Sequence, residues 1–448
     1  MLSVKQKVGY GLGDFANNIY WQSVSFFLLF FYTESVGLTA FEAGTIYMIA
    51  SLFDGITDPI IGIIADRTQS RFGKYRGYIL FGAVPLAVAF IAIFYIPSLE
   101  GQLLLAYILA SHLVFRLAYT IVSIPYTALS ARITANGDER ASLAGYRMMF
   151  ATLAGITVAF SMQPLAAYFD ATIVPLGGFF STAVVFSIIA TLIYPLVVYA
   201  VPETSTLCDQ AHVQSSVRSI GRNILKNKAF LVAVGCILIA VTGITVLNKS
   251  ILYYYKYILD AEQSARFAIV AMASIGLVAV PFWLWLMKKC SKPFVWKAAS
   301  GWIIVALTVF SVVSFSTPFN MALWLASFHF GSLGLSFTFW ALLPDTVEYG
   351  ELASGKRNES VLFGLAQFFL KAALGLGAGL FGLLMDMIGF IPNHEFTQET
   401  RTGIIAIMLI TPGAMVLIAL LLMYAYPRNL GSHEQIVSKL KQLASKNG

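Results

Sequence analysis

A succession of long apolar segments is the feature that most constrains how this chain can fold. Each is about 20 residues or longer, the length that an α-helix needs to cross the hydrocarbon core of a bilayer. A soluble chain would carry roughly 25% charged residues, whereas only 11% of these 448 residues are charged and 58% are hydrophobic. The mean hydropathy is +0.77. The sequence therefore predicts an all-α polytopic membrane protein.

We predict twelve membrane-spanning helices in two groups of six. The spans cover residues 10–33, 41–65, 78–97, 102–130, 142–169, 178–200, 229–256, 266–287, 294–315, 319–347, 359–391 and 403–426. The first span continues without a short apolar core followed by a cleavage site, so we expect a retained helix and not a signal peptide.

The basic residues are distributed unevenly between the joins. Most of the 29 Lys and Arg residues lie in the joins after even-numbered spans and in the two terminal segments, whereas the other joins are acidic or neutral. The positive-inside bias places the basic joins and both termini in the cytoplasm. The net charge of +7 therefore reflects membrane topology, and we expect no nucleic-acid partner.

A hydrophilic break near the middle divides the chain. The predicted units are an N-terminal six-helix bundle (1–200), a cytoplasmic linker (201–228), a C-terminal six-helix bundle (229–427) and a cytoplasmic tail (428–448). A short internal sequence repeat supports the division. Three residues of the first half recur at one common offset in the second half: Pro125, Thr127 and Gly145 as Pro344, Thr346 and Gly364. The pattern favours two parallel repeats.

Two carboxylates interrupt the second span. Asp54 and Asp58 are four residues apart, so a helix places them on one face with Cβ atoms about 5–6 Å apart. An ionised side chain at the bilayer centre costs about 2.5–3.5 kcal/mol on insertion scales, and two anions also repel each other. A bound cation, such as Na⁺, or a shared proton would offset this penalty. We predict a coupling-ion site here; neutralisation by basic side chains of other helices is the alternative.

Polar side chains on other spans predict a substrate cavity, because such groups do not face lipid comfortably. Helices one and four carry most of them: Asp14, Asn18, Trp21 and Gln22, then Arg116, Tyr119, Thr120 and Ser123. Arg147 and Lys371 add positive charge, and Trp340, like Trp21 and Tyr119, is a candidate for stacking on a sugar ring. A closed network of hydrogen bonds and ion pairs between helices is the alternative. The planar fork of Arg116 suits a carboxylate or sulfonate, unless Arg116 pairs with Asp14.

The sequence contains no sign of enzymatic chemistry. No nucleophile–base triad, glycine-rich phosphate loop or metal-ligand cluster is present. We therefore expect neither an enzyme nor a cofactor, apart from a coupling ion, Na⁺ or H⁺.

Four motifs together resemble one transporter family. They are YGLGDFANN in helix one, D-x-x-x-D-P in helix two, GIIADRTQSRFGKYR in the join after it, and PDTVEYGELASGKRNES after helix ten. Across essentially the whole chain, they resemble the glycoside–pentoside–hexuronide:cation symporters, the melibiose permease-like branch of the major facilitator superfamily. The resemblance implies a functional monomer in the bacterial cytoplasmic membrane, surrounded by lipid. It also implies symport of a sugar or glycoside with Na⁺ or H⁺ by alternating access.

The resemblance also implies roles for individual residues. It makes Asp54, Asp58 and Thr120 cation contacts, with Thr57 and Ser123 beside them, and it places Arg147 and Lys371 at the sugar. Three positions depart from the melibiose carriers: Asn18 and Ser123 replace aspartates, and Thr57 replaces an asparagine. These departures leave the choice between Na⁺ and H⁺ open. The loss of two acids favours an acidic substrate such as a hexuronide, held by Arg116 with Asn18 and Gln22 bonding hydroxyls.

Charged residues at the cytoplasmic helix ends are predicted to form a gate. One set lies in the first half, Asp66, Arg67, Arg71 and Lys74, and its partners lie in the second, Glu348, Glu351, Lys356 and Arg357. Solvated topological charge is the alternative. Two other functions also remain open, namely a carrier of lysolipids or other amphiphiles with the same fold, and a non-transporting sensor.

Overall fold

The computed structural model describes residues 2–68, 70–134, 136–172, 177–201, 224–313, 315–354, 359–394 and 397–427. The described residues form twelve helical rods, which we label α1 to α12. α1 consists of Val4–Ser23, a π-helical turn at Val24–Leu28 and a last segment, Leu29–Glu34. The other rods of the first half are α2 Ala40–Arg67, α3 Arg76–Ile93, α4 Gly101–Ile133, α5 Gly137–Thr172 and α6 Gly178–Ala200.

The second half repeats this arrangement. α7 is Lys228–Tyr253, continued by a π-helical turn at Tyr254–Ile258, and α8 consists of two pieces, Ala265–Ser274 and Gly276–Lys289. The remaining rods are α9 Lys292–Val312, α10 Pro318–Ser354, α11 Glu359–Met387 and α12 Gln398–Met423.

Eleven of these rods are long and apolar enough to cross a membrane. The remaining rod is α1, whose central polar residues lower its hydropathy although it runs from Val4 to Glu34 without a break. The predicted all-α membrane fold with twelve helices is confirmed.

Several helices extend beyond their predicted spans. α1 begins at Val4 because Ser3 and Gln6 form a capping box, whereas its span was predicted to begin at residue 10. α5 begins at Gly137 and α10 continues to Ser354, each several residues outside the predicted span. Hydropathy marks the part of a helix that lies in hydrocarbon, whereas capping and backbone hydrogen bonding decide where the helix ends.

The two groups of six helices contact each other mainly through two helix pairs. α2 packs along α11, and α5 packs against α8. If each helix of the first half is matched with the helix six places later in the second half, α2 corresponds to α8 and α5 to α11. The α2–α11 contact then corresponds to the α8–α5 contact, which supports the proposal of two parallel six-helix repeats. Residues 202–223 and 428–448, which make up most of the predicted linker and tail, lie outside the described part of the chain.

Glycines bring α2 and α11 into close contact. A Cβ atom added at Gly44 would lie 2.7 Å from the carbonyl oxygen of Ala378, and one added at Gly382 would lie 2.2 Å from that of Ala40. Small residues let membrane helices approach in this way. Ala40 and Gly44 are in the first turns of α2, so the contact closes one end of the bundle. We call this end of the bundle the acidic end, after the acidic joins between helices there. The opposite end, where α2 finishes and the joins are basic, is called the basic end.

Candidate functional site

The acid pair on α2 forms the centre of the site. Asp54 is completely buried. The Thr120 hydroxyl oxygen lies 2.8 Å from Asp54 Oδ1 and 3.0 Å from Asp58 Oδ1. Opposite it, the Lys371 ammonium lies 2.9 Å from Asp54 Oδ2 and also pairs with Asp58 Oδ2. The two carboxylates therefore share a hydroxyl from α4 and an ammonium from α11, which belongs to the other half.

A second cation contacts Asp54 from α4. Arg116 is buried, and its Nη1 lies 3.4 Å from Asp54 Oδ2. Its Nε donates to His112 Nε2 at 3.3 Å, and its guanidinium carbon lies 5.2 Å from the centre of the Trp21 ring. Two carboxylates thus face two cations. In this conformation the acids are neutralised by basic side chains of other helices, which is the alternative considered from the sequence.

Pro59 changes the backbone beside the acid pair. Proline has no N–H, so the carbonyl of Gly55, four residues earlier, lacks its helical donor. Both residues line the same cavity as Asp58. One helical hydrogen bond is therefore missing beside the acid pair.

A cavity of about 580 Å³ lies beside Asp58 and Lys371. Its wall includes several other residues predicted from the sequence: Asn18, Trp21, Tyr119 and Ser123. Thr127 and Gly364 extend this wall toward the basic end, because α4 finishes there and α11 begins there. The cavity thus lies between the acid pair and the basic end of the bundle.

Asp14 belongs to a separate ion pair on the basic side of the cavity. Arg147 Nε donates to Asp14 Oδ2 at 2.6 Å, and the Tyr126 hydroxyl donates to the same oxygen at 2.7 Å. The Arg147 guanidinium also lies over the rings of Tyr10 and Tyr126. The suggested pairing of Arg116 with Asp14 is therefore wrong, because packing of α1 against α5 brings Arg147 to Asp14 while Arg116 contacts α2.

Three other residues that were predicted at the cation or substrate site contact the backbone or a neighbouring side chain. The Thr57 hydroxyl donates to the backbone oxygen of Asp54 at 3.1 Å. The side-chain nitrogen Nε2 of Gln22 lies 3.5 Å from Oδ1 of Asn18. Trp340 is half-buried, and its ring lies 5.5 Å from that of Phe339.

The proposed gate residues lie at the basic end. Asp66 accepts from the Tyr75 hydroxyl at 2.5 Å and lies 3.9 Å from Lys74 Nζ. Burial raises the pKa of the Tyr75 phenol, and the bond to Asp66 raises it further, so Tyr75 remains a donor at neutral pH.

The other gate residues are divided between the two halves. Arg67 ends α2, and Arg71 lies over the Phe72 ring. Glu348 is buried and Glu351 half-buried near the end of α10, whereas Lys356 and Arg357 lie outside the described residues. Pairing between the halves in another conformation stays a prediction.

The acidic end has polar contacts between the halves. Lys256 of α7 lies 2.5 Å from Glu34 Oε2 of α1, and the Tyr257 hydroxyl donates to the same oxygen. The Asn393 amide donates to the backbone oxygen of Glu34 at 2.8 Å. Gln163 of α5 also donates to Glu262, at 3.3 Å. These contacts and the glycine-mediated crossing hold this end together.

Sequence reasoning missed two buried residues near the acid pair. Lys249 of α7 donates to the Ser25 backbone oxygen at 2.6 Å and lies 4.0 Å from the centre of the Tyr47 ring. His112 of α4 is fully buried beside Arg116. A lysine within the apolar span 229–256 was the available signal for Lys249, of the same kind that singled out Arg116.

The sequence matches the family model described as "MFS/sugar transport protein" over residues 9–429. An uncharacterized symporter of Bacillus subtilis (strain 168) is 32% identical, with 98% of this chain and 95% of that protein covered. A putative glycoside/cation symporter of Escherichia coli (strain K12) is 28% identical, with 92% and 89% covered. A glucuronide carrier protein homolog of the same organism is also 28% identical, with 98% and 96% covered.

A solved structure shares the fold at low sequence identity. A bacterial homologue of the human lysosomal transporter Spinster, inward-facing and unoccupied, superposes with a TM-score of 0.66 at 13% identity, with 94% of this chain and 95% of that chain covered. That likeness shows the fold alone, whereas the family model extends over nearly the whole chain. This chain is therefore an integral membrane transporter, not an enzyme, and it belongs to the MFS/sugar transport protein family.

Proposed function

We propose that this chain is a cation-coupled symporter that moves a sugar or glycoside across the membrane by alternating access. The observation that carries the proposal is the Lys371 ammonium, which bridges Asp54 and Asp58 at the wall of the central cavity. Relatives named as symporters, one of them a putative glycoside/cation symporter, support it.

The coupling ion exchanges with Lys371 in this mechanism. Arg116 remains with Asp54, so release of Lys371 leaves the acid pair with one uncompensated negative charge. A single Na⁺ or H⁺ then neutralises this charge, with the Thr120 hydroxyl available as an oxygen contact. The freed ammonium of Lys371 becomes a donor to the substrate in the cavity. Cation binding thereby promotes sugar binding, which is the coupling that symport requires.

The geometry favours an inward-facing conformation. The positive-inside rule assigns the basic end to the cytoplasm, together with both termini. The cavity lies toward that end, and ion pairs and glycine contacts close the acidic end. Transport requires the opposite arrangement as well, in which the contacts at Glu34 break and the basic ends approach each other.

We also propose an acidic group on the sugar. The glucuronide carrier homolog among the relatives supports this class, as do the non-acidic Asn18 and Ser123 in the cavity wall. In this conformation Lys371 lines the cavity, whereas Arg116 contacts Asp54 on the side that faces the acidic end. Lys371 is therefore the first candidate to contact an acidic group from the basic side.

Uptake by proteoliposomes tests the function. We expect p-nitrophenyl β-D-glucuronide to accumulate inside when an inward gradient of Na⁺ or H⁺ is imposed, and to equilibrate without one. The matched neutral ligand is p-nitrophenyl β-D-glucoside, which differs by a hydroxymethyl group in place of the carboxylate. Accumulation of a lysolipid but of neither glycoside would identify an amphiphile carrier. Specific binding of a glycoside without uptake or exchange would identify a sensor.

Glu34→Gln is expected to open the acidic end. Loss of the charge removes the ion pair with Lys256, and a charged hydrogen bond is worth roughly 1.5–3 kcal/mol. We expect labelling of Ser25→Cys by an impermeant maleimide from the acidic side to become about tenfold faster. Glu42→Gln is the control, because Glu42 lies at the same end and, among the described residues, bonds within its capping box only. Equal labelling rates in the two variants would remove Glu34 from the closing contact.

The double variant Asp66→Ala/Glu348→Ala is expected to make the cavity more accessible from the basic side in the conformation whose acidic end is open. Asp66 is more than half exposed, and a pair made by an exposed carboxylate contributes only about 0–1 kcal/mol, so labelling of Ser123→Cys should increase by up to about fivefold per pair. Lys288→Ala, also at the basic end, serves as the control. Unchanged labelling in the double variant would mean that these charges are topological only.

A further inference from the structure

Two buried cations lie on the closed side of the acid pair. On α2, Tyr47 precedes Asp54 by seven residues, or about 10 Å toward the acidic end. On α4, His112 and Arg116 precede Thr120 in the same direction. Both helices thus place this group on one side of the acid pair and the cavity on the other. We call Tyr47, His112, Arg116 and Lys249 the outer cluster.

The outer cluster is positively charged and tightly packed. Lys249 and Arg116 both lie over the Tyr47 ring, at 4.0 and 5.4 Å from its centre. Arg116 has Asp54 as its counter-ion. Within the described part of the chain, Lys249 makes no ion pair with a carboxylate, although only 7% of its surface is exposed. His112 Nδ1 is also buried without a hydrogen-bond partner there.

A buried ammonium without a carboxylate is unfavourable, which indicates a functional role for Lys249. Its contacts cross the interface between the halves, because Lys249 is on α7 whereas Ser25 and Tyr47 are on α1 and α2. Ser25 lies in the π-helical turn of α1, and such turns are frequent at functional sites. When the acidic end opens, Lys249 must part from both partners.

We propose that Lys249 and Arg116 form the outer anion-binding subsite, which receives the carboxylate or sulfonate of an acidic sugar entering from the acidic end. The inference rests on the proposed symport and specifies the chemistry of its outward-facing state. Opening at this end exposes two cations and the face of an aromatic ring that suits a sugar. Lys371, once a coupling cation has released it from the acid pair, is the donor to the substrate on the cavity side of that pair.

Transport by Lys249 variants tests the subsite. In right-side-out vesicles, Lys249→Gln should raise the half-saturation concentration for p-nitrophenyl β-D-glucuronide about tenfold or more, the value of one charged hydrogen bond. The neutral glucoside should change by less than about twofold, which also shows that the variant is folded. Lys249→Arg should retain near-normal values. From the basic side, in inverted vesicles, the glucuronide value should stay within about twofold.

The possible outcomes separate this inference from the proposed function. Equal weakening of both glycosides, or of the glucuronide from both sides, would make Lys249 a contact between the halves only and would overturn the inference. An unchanged glucuronide value would also overturn it, while gradient-driven uptake by the parent protein would leave the symport intact. Absence of gradient-driven uptake of either glycoside by the parent protein would overturn the proposed function itself.

Discussion

Asp58→Asn is expected to abolish accumulation of substrate while leaving exchange across the membrane. In the parent protein, loss of Lys371 from the acid pair creates a negative charge that a coupling cation neutralises. In the variant, Asp54 alone faces Arg116, so Lys371 can leave without any need for a cation. The substrate gradient should therefore fall to equilibrium, with an inside-to-outside ratio near one, whereas counterflow of preloaded substrate should continue.

Proteoliposomes provide both measurements from one preparation. Uptake is followed under an imposed Na⁺ or H⁺ gradient, and counterflow is followed without a gradient. Asp386→Asn is the matched control, because Asp386 is an exposed aspartate on α11, away from the acid pair. We expect the control to accumulate substrate normally. Continued accumulation by Asp58→Asn would mean that the coupling ion binds elsewhere.

The fold could be predicted from the sequence because each span must satisfy its own backbone in lipid. Eleven rods meet a simple criterion of length and hydropathy. The rod α1 does not, because its middle carries Asp14, Asn17, Asn18 and Gln22 for the interior of the bundle. The polar residues that lower its hydropathy are those that face other helices and the cavity. A helix that contributes polar residues to the site is therefore harder to recognise as a membrane span from its composition.

The site was predictable as a list of residue types but not as a set of pairs. Two acids four residues apart require compensating charge, and Arg116, Arg147 and Lys371 were recognisable candidates. Which cation meets which acid depends on helix packing: α1 meets α5, and α2 meets both α4 and α11. Those neighbours assign Arg147 to Asp14, and Arg116 and Lys371 to Asp54. Spacing along one helix contains no information about these contacts.

Lys371→Gln is expected to make folding stability depend on the coupling cation. Without the ammonium, Arg116 is the one cation of the described residues that still pairs with the two acids, so the partly buried site carries one uncompensated negative charge. Removing one partner of a fully buried ion pair costs about 3–5 kcal/mol, and the loss should be smaller here because Lys371 is partly exposed. The melting temperature should fall by several degrees and recover when the coupling cation is added, since a ligand that binds only the folded state stabilises it.

The double variant Lys371→Gln/Asp58→Asn distinguishes charge balance from packing. It leaves Asp54 paired with Arg116, so the melting temperature should recover and become independent of the cation, although accumulation stays absent. Lys371→Arg preserves the charge and should retain most of the stability. Thermal unfolding of the purified proteins with and without Na⁺, at two pH values, measures all three variants. If the double variant unfolds as early as Lys371→Gln, the loss comes from packing around residue 371. Recovery in the double variant instead assigns the loss to uncompensated charge, as expected if Lys371 occupies the place that the cation takes during transport.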